Sequence, residues 1–314
     1  MAKARQGGMA VISALLIAAV VAVIAGGMIE RQGLFTQQVE NRQLALQGQW
    51  ALEGGLQGGR ALLREQRQRD RLVRNGQPWS QPQPLAAGLE GRLEDEQGKF
   101  NLRNLVIEGQ VNEPAVATLR RLCGLIGLEE RLASAIIERV VGSYPQRPAQ
   151  PENAAAQGLE SGRLTSPASA AAPRPAKYPM LRDLSPLASL KGMRNDDFQR
   201  LRRVVTVLPA LTWVNGNTAS AEVLAAQVPG LSLQQAATLV AERDSGHWFI
   251  NRGDFVNRLR MPQLVDSTVQ VGIDSDWFRW HGQARQGSRV LRMEALLRQH
   301  EGQLPDVIWT RVGA

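Results

Sequence analysis

Glu94, Asp95 and Glu96 stand in a row in a chain of 314 residues. Carboxylates at that density can draw a divalent cation or divide acid and base roles. At the end of an alternating apolar stretch they more often form a solvated strand end, which is the reading adopted here. Asp274 and Asp276 flank a turn further on. They are the candidate metal ligands, in competition with a plain solvated turn. His247, His281 and His300 are isolated from one another, and Asp254 near His247 reads as polar surface rather than a catalytic pair. No HExxH, GxSxG or glycine-rich phosphate loop occurs. The single Cys123 lies in an apolar helical pattern, where it serves as a small buried hydrophobe, and it has no partner for an internal disulfide. These groups do not converge on a reaction, and the expectation is a protein that is not an enzyme.

The one stretch that invites chemistry on the chain itself is N-terminal. Lys3 and Arg5 precede a Gly7-Gly8 pair, and an uncharged apolar run follows from Met9 to Ile29. At 1.5 Å per helical residue that run reaches about 31 Å, enough to cross a bilayer core. In a secretory signal peptide the small-residue cleavage site follows the apolar stretch; here the small residues precede it. Cleavage after Gly8 would remove the charged leader and leave the span as the new N-terminus. This arrangement resembles the type IV prepilin leader, cut by a prepilin peptidase, with Met9 as the N-methylated mature N-terminus. An uncleaved signal anchor is the alternative. Under either reading the basic leader holds the N-terminus in the cytoplasm, a single span crosses the bacterial inner membrane, and the bulk of the chain is periplasmic.

Pilins and pseudopilins mostly carry Glu at the fifth mature position. Counted from Met9, that position is Ser13. A pilin-like span without this carboxylate resembles the minor pseudopilin K of the type II secretion system, the general secretion pathway protein K family. The stretch Glu94-Asp95-Glu96-Gln97-Gly98-Lys99-Phe100-Asn101-Leu102 is similar to the same family, where it leads from the pilin sheet into a large inserted helical domain. The resemblance implies a fibre-tip subunit: the other minor pseudopilins as partners, processing by prepilin peptidase, and contact with secreted proteins and the outer-membrane secretin. It also implies calcium, held in an Asp-rich loop. Here the chain departs from the family, because no Asp occurs between Glu96 and Arg182.

The implied fold class is α+β. A pilin-like long N-terminal helix packs on a C-terminal antiparallel sheet, with an inserted all-helical domain containing helix-hairpin-helix-like pairs. Residues 1–8 form the leader, 9–29 the transmembrane helix, 30–105 the periplasmic helix and first strands, 106–260 the insert, and 261–314 the closing strands. Helical spacing of Leu34, Phe35, Val39, Leu46 and Trp50 carries the first helix to about Arg74, half of it in the bilayer and half packed on a periplasmic domain. A Pro- and Ala-rich loop occupies 143–180. Asn217 to Val228, a Pro229-Gly230-Leu231-Ser232 hairpin and Leu233 to Arg243 form a pair that looks like a DNA-binding helix-hairpin-helix. A phosphate there would sit on free backbone N–H groups. Ser232 and Gln235 instead fit a capping box, and no Lys or Arg follows to draw a phosphate. No nucleic acid is expected. The formal charge of +8, or +6 once Lys3 and Arg5 are removed (8 − 2), is spread along the chain as a solvated surface. A membrane-anchored periplasmic DNA-binding protein and a type IV pilus minor pilin are the alternative functions.

Overall fold

The computed structural model describes residues 7–86, 88–147, 174–262, 264, 269–286 and 289–313. The first element, α1, runs from Gly7 to Arg69, 63 residues without a break, or about 95 Å of helix. No proline interrupts it, and Arg67 and Arg69 in its last turn oppose the negative end of the helix dipole. It stops about five residues before the expected Arg74. Asp70 turns its carboxylate onto the Leu72 N–H at 2.9 Å, and the Gln77 side chain accepts from the Arg74 N–H at 3.0 Å. The chain thereby trades helical bonds for side-chain ones.

Residues 83–95 and 277–313 build one antiparallel sheet. Its strands are β1 (Gln83–Ala86), β2 (Leu89–Asp95), β9 (Trp277–Gln286), β10 (Arg289–Arg298) and β11 (Asp306–Gly313), in the order β1-β2-β9-β10-β11. Register runs from Leu89↔Ala284 to Asp95↔Phe278 between β2 and β9. One face packs on α1. Leu52, Leu56 and Leu63 form a stripe on the helix and meet Leu93, Phe278, Trp280, Met293, Ala295 and Leu297. Each of these leucines, fully buried, contributes about 1.5–3 kcal/mol. Two glycines make the approach close: a Cβ on Gly59 would lie 3.0 Å from the Trp280 ring, and one on Gly282 only 1.9 Å from it. Gly282 sits in the middle of β9, where the indole of Trp280 folds over it. The opposite face carries a smaller apolar cluster of Trp277, Leu296 and Leu208, with Trp309 packed against it.

Between β2 and β9 lies a helical region with its own core. It contains α2 (Glu113–Leu125), α3 (Glu130–Val141), α4 (Asn195–Val204), α5 (Ala221–Gln227), α6 (Leu233–Asp244) and α7 (Arg252–Leu259). Pro114 falls in the first turn of α2, where its missing N–H costs nothing. Short strands tie the region together. A hairpin pairs β4 (Val106–Ile107) with β5 (Gln110–Val111); β3 (Phe100–Asn101) pairs in parallel with β6 (Val205–Thr206), and β7 (Val214–Asn215) with β8 (Val271–Gly272). Val269 to Ile273 is therefore not a strand of the main sheet. Residues 184–204 form a 3-10 turn, Ser185–Leu187, followed by α4. Of the Pro/Ala-rich loop, residues 148–173 lie outside the described residues, as does the leader from Met1 to Gln6.

Candidate membrane and assembly interface

The first half of α1 packs against no other described element. From Val11 to Ile29 every side chain is exposed, and the helix is long and apolar enough to cross a membrane. Gly8 and Met9 lie on its first turn, and Ser13 follows on the exposed stretch. Leu34, Phe35, Leu46 and Trp50 continue the apolar pattern beyond the span and stay exposed, Trp50 at 71%. Their helical spacing was expected to pack on the periplasmic domain. Contact with the sheet begins instead near Leu52, some 23 residues or about 35 Å of helix beyond Ile29. The face carrying Phe35 and Trp50 is thus without a partner among the described residues.

A second feature lies where the chain leaves the sheet for the insert. Asp95 and Glu96, read from the sequence as a solvated strand end, are 5% and 0% exposed. Asp95 Oδ2 accepts hydrogen bonds from Asn215 Nδ2 at 2.9 Å, Thr218 Oγ1 at 2.6 Å and Ser275 Oγ at 2.7 Å. Asp95 Oδ1 accepts from the Gln97 N–H at 2.8 Å. Burial pushes the Asp95 carboxyl up to about 6 in spite of these bonds. Asn215 Nδ2 also reaches the Val73 carbonyl at 2.9 Å, so one polar node joins the segment after α1, the end of β2, the insert and the approach to β9.

Glu96 accepts from Arg279 at 3.0 Å, from Lys99 at 3.0 Å and from the Thr206 hydroxyl. Lys99 also holds Glu94 at 2.9 Å. His281 lies between two carboxylates, with Nε2 3.1 Å from Glu94 and Nδ1 3.7 Å from Glu294. Burial disfavours its cation, but Glu294 and Glu94 outweigh burial and raise its pKa. For Glu94, burial is outweighed by the His281 bond and the charge of Lys99, and its pKa falls well below the usual range. The acidic run is therefore neither a solvated strand end nor a metal cradle: cations of the chain itself hold Glu94 and Glu96, and neutral donors hold Asp95. Lys99 and the Gln97 N–H are local partners, but Asn215, Thr218, Ser275, Arg279 and His281 lie more than a hundred residues away in sequence, where no local signal could have identified them.

Asp274 and Asp276 face a cation too. Arg67 on α1 lies 3.8 Å from Asp274 and 2.9 Å from Asp276. Calcium needs six to eight oxygens, whereas here a guanidinium occupies the place of the ion. Among the described residues no three His, Cys, Asp or Glu side chains gather to hold a metal. The donor set does not fit calcium.

The hairpin before α6 is closed as its sequence suggests. Ser232 Oγ accepts from the Gln235 N–H at 3.2 Å, and Gln235 Oε1 accepts from the Ser232 N–H at 3.0 Å. The basic residue of α6, Arg243, points inward, donating to the Gly216 and Ala219 carbonyls at 2.9 and 2.6 Å. The cap thus takes the Gln235 and Ser232 N–H groups, and the cation of α6 is turned away from the hairpin, which leaves a phosphate there without its electrostatic drive.

An exposed membrane-length helix that continues into a stripe on an antiparallel sheet, with a helical region inserted between strands, defines a membrane-anchored protein of pseudopilin architecture. Family models described as "Type II secretion system (T2SS), protein K" match residues 98–210 and 214–274. Type II secretion system protein K of Pseudomonas aeruginosa is 31% identical over 301 residues, covering 90% of this chain and 86% of its own. The protein of the same name from Pectobacterium carotovorum subsp. carotovorum is 27% identical, covering 99% and 98%. A chain from the crystal structure of the GspK-GspI-GspJ complex of enterotoxigenic Escherichia coli has the same fold, with a TM-score of 0.62 at 19% identity over 88% of this chain and 99% of that one. The chain belongs to the type II secretion system protein K family, the minor pseudopilins, structural parts of a secretion machine.

Proposed function

We propose that this protein is the tip subunit of a type II secretion pseudopilus. Residues 1–8 are its leader, removed by prepilin peptidase after Gly8, and Met9 becomes the N-methylated N-terminus. Residues 9–29 span the inner membrane once, with the leader cytoplasmic and the rest periplasmic. Ser13 stands where other subunits carry a Glu that a neighbour neutralises; an unpaired carboxylate in a bilayer is costly. A subunit with nothing stacked above it has no use for that Glu.

The observation that carries the reading is the unpartnered stripe Phe35–Trp50 on a helix whose next turns are fully packed. It supports lateral assembly with the helices of the other minor pseudopilins. The insert, on the sheet side of the molecule, would hinder stacking of a further copy. It would be presented to exported proteins and to the outer-membrane secretin. The domain division set out from the sequence, with the insert over 106–260, belongs to this proposal.

The test is mass analysis of the N-terminus in cells with and without prepilin peptidase, for the wild type and for Gly8→Val. A methylated peptide beginning at Met9, absent without the peptidase and absent in the variant, is expected, together with loss of secretion in the variant. An intact N-terminus in both strains, or normal processing of Gly8→Val, would overturn the assignment.

A further inference from the structure

On the face of the sheet away from α1, strands β9, β10 and β11 meet α4 and the turn at Asp183–Ser185 around a cleft of about 250 Å³. Four arginines line it: Arg202 from α4, Arg279 from β9, Arg292 from β10 and Arg311 from β11. Register places them on one face. Glu294 is paired with Arg311 and Arg292 with Gly313, so Arg292 and Arg311 are diagonal neighbours. Their charge is not balanced. Glu294 and Asp183 are the acidic residues in the lining, two against four. Arg311 is paired with Asp183, and Arg202 stands 4.0 Å from Glu294, a distance that leaves little direct bonding. Arg279 spends one nitrogen on buried Glu96, which also serves Lys99, and its buried Nε has no partner. Arg292 is exposed, and no carboxylate among the described residues lies within ion-pair distance of it. Beside these cations the lining is apolar, with buried Leu184 and half-buried Phe198.

We infer that this cleft is a docking site for an acidic, extended peptide segment of a partner protein. The guanidinium forks match carboxylates in geometry and charge, and Leu184 and Phe198 suit an apolar side chain next to them. Strand β11 supplies the third element. It is the edge of the sheet, its outer side has no pairing strand among the described residues, and Ile308 and Val312 are exposed along it. An extended chain entering the cleft beside Arg311 and Gly313 finds a free ladder to continue along. Lipid headgroups are a poor match, since the sheet first meets α1 about 35 Å of helix beyond the span. Nucleic acid is disfavoured as well, because Asp183 and Glu294 lie within the lining and oppose a run of phosphates.

The experiment uses the full chain in detergent and two fluorescent nine-residue peptides, one alternating Glu with Val and one with Gln in place of every Glu. Fluorescence anisotropy at 50 mM salt reads the affinity. The acidic peptide is expected to bind at least tenfold more tightly than its Gln counterpart. Arg292→Glu, at an exposed position with no ion pair, is expected to weaken that binding at least tenfold. Arg64→Glu, an equal charge reversal on the α1 side, should leave it within twofold. Anionic vesicles of phosphatidylglycerol should not compete with the peptide. Equal affinity for the two peptides, an unchanged affinity in Arg292→Glu, an equal loss in Arg64→Glu, or competition by the vesicles would each overturn the proposal.

Discussion

Asp95→Ala removes the acceptor at the centre of the polar node, and its effect should depend on pH in a definite direction. In the wild type, burial raises this carboxyl from its ordinary 3.8 to about 6. An acid whose pKa is raised on folding binds its proton more tightly in the native state. The stability it contributes is complete below the unfolded value and is lost as pH rises through the folded one. Linkage with these two values gives a loss of about 1.4 kcal/mol from the wild type between pH 5 and pH 7.5. The alanine variant lacks this titration. It also leaves the Gln97 N–H and the Ser275 hydroxyl without Asp95, whereas Asn215 keeps the Val73 carbonyl. Two buried donors left so, at about 1–3 kcal/mol each, place the variant roughly 2–6 kcal/mol below the wild type at pH 5. The gap should narrow by about 1.4 kcal/mol at pH 7.5. Urea unfolding followed by tryptophan fluorescence, with a slope of about 2 kcal/mol per molar, reads the narrowing as about 0.7 M in the difference between midpoints. His281 titrates in both proteins and cancels. A gap below 1 kcal/mol at pH 5, or one that widens toward pH 7.5, would refute the buried-node reasoning.

Gly282→Ala puts a methyl 1.9 Å from the Trp280 ring, and overpacking at this site should cost about 3 kcal/mol, read as a lowered midpoint in thermal unfolding. His281 has a raised pKa between Glu94 and Glu294, with Lys99, Arg279 and Arg202 the nearby cations. Its contribution is present below about 6.5 and lost as pH rises through the folded value, so His281→Gln should flatten the decline in stability between pH 6.5 and 8. Cys123 is buried, and burial pushes its thiol up to about 12. It should resist maleimide in the native protein at pH 7 and react fully in 6 M guanidinium, as mass spectrometry would show.

Local patterns in the sequence revealed what short-range forces decide. The uncharged run after Gly8 became an exposed helix, the 3.6-residue spacing of Leu119, Leu122, Ile136 and Val140 became the buried faces of α2 and α3, and Ser232 with Gln235 became a cap. Long-range pairing was not legible. Leu46 and Trp50 carried the apolar helical pattern, yet it is Leu52 that meets the sheet, and a pattern of apolar residues does not say whether the chain itself or another one supplies the cover. The Glu94–Glu96 run had the composition of a solvated strand end, and its burial depends on Asn215, Ser275 and Arg279, each over a hundred residues away. Asp274 and Asp276 looked like ligands in search of a cation; Arg67 is that cation, and it comes from the other end of the chain. Gly282 could not be distinguished from a turn glycine without the ring of Trp280 above it.

The pairing of Asp95 with Phe278 closes a stretch of 183 residues (278 − 95) between adjacent strands. Bringing the ends of an unstructured loop of that length together costs about 4–5 kcal/mol of chain entropy. A folded insert meets that cost within itself, because β3 with β6 and β7 with β8 bring its two ends beside each other. Loop-closure entropy therefore favours collapse of the insert ahead of the pairing of β2 with β9. Because the chain is made N-terminus first, the first half of the sheet emerges long before the second. Until then β2 waits with one edge unpaired, and the rate at which the insert folds sets how long that edge is exposed to aggregation.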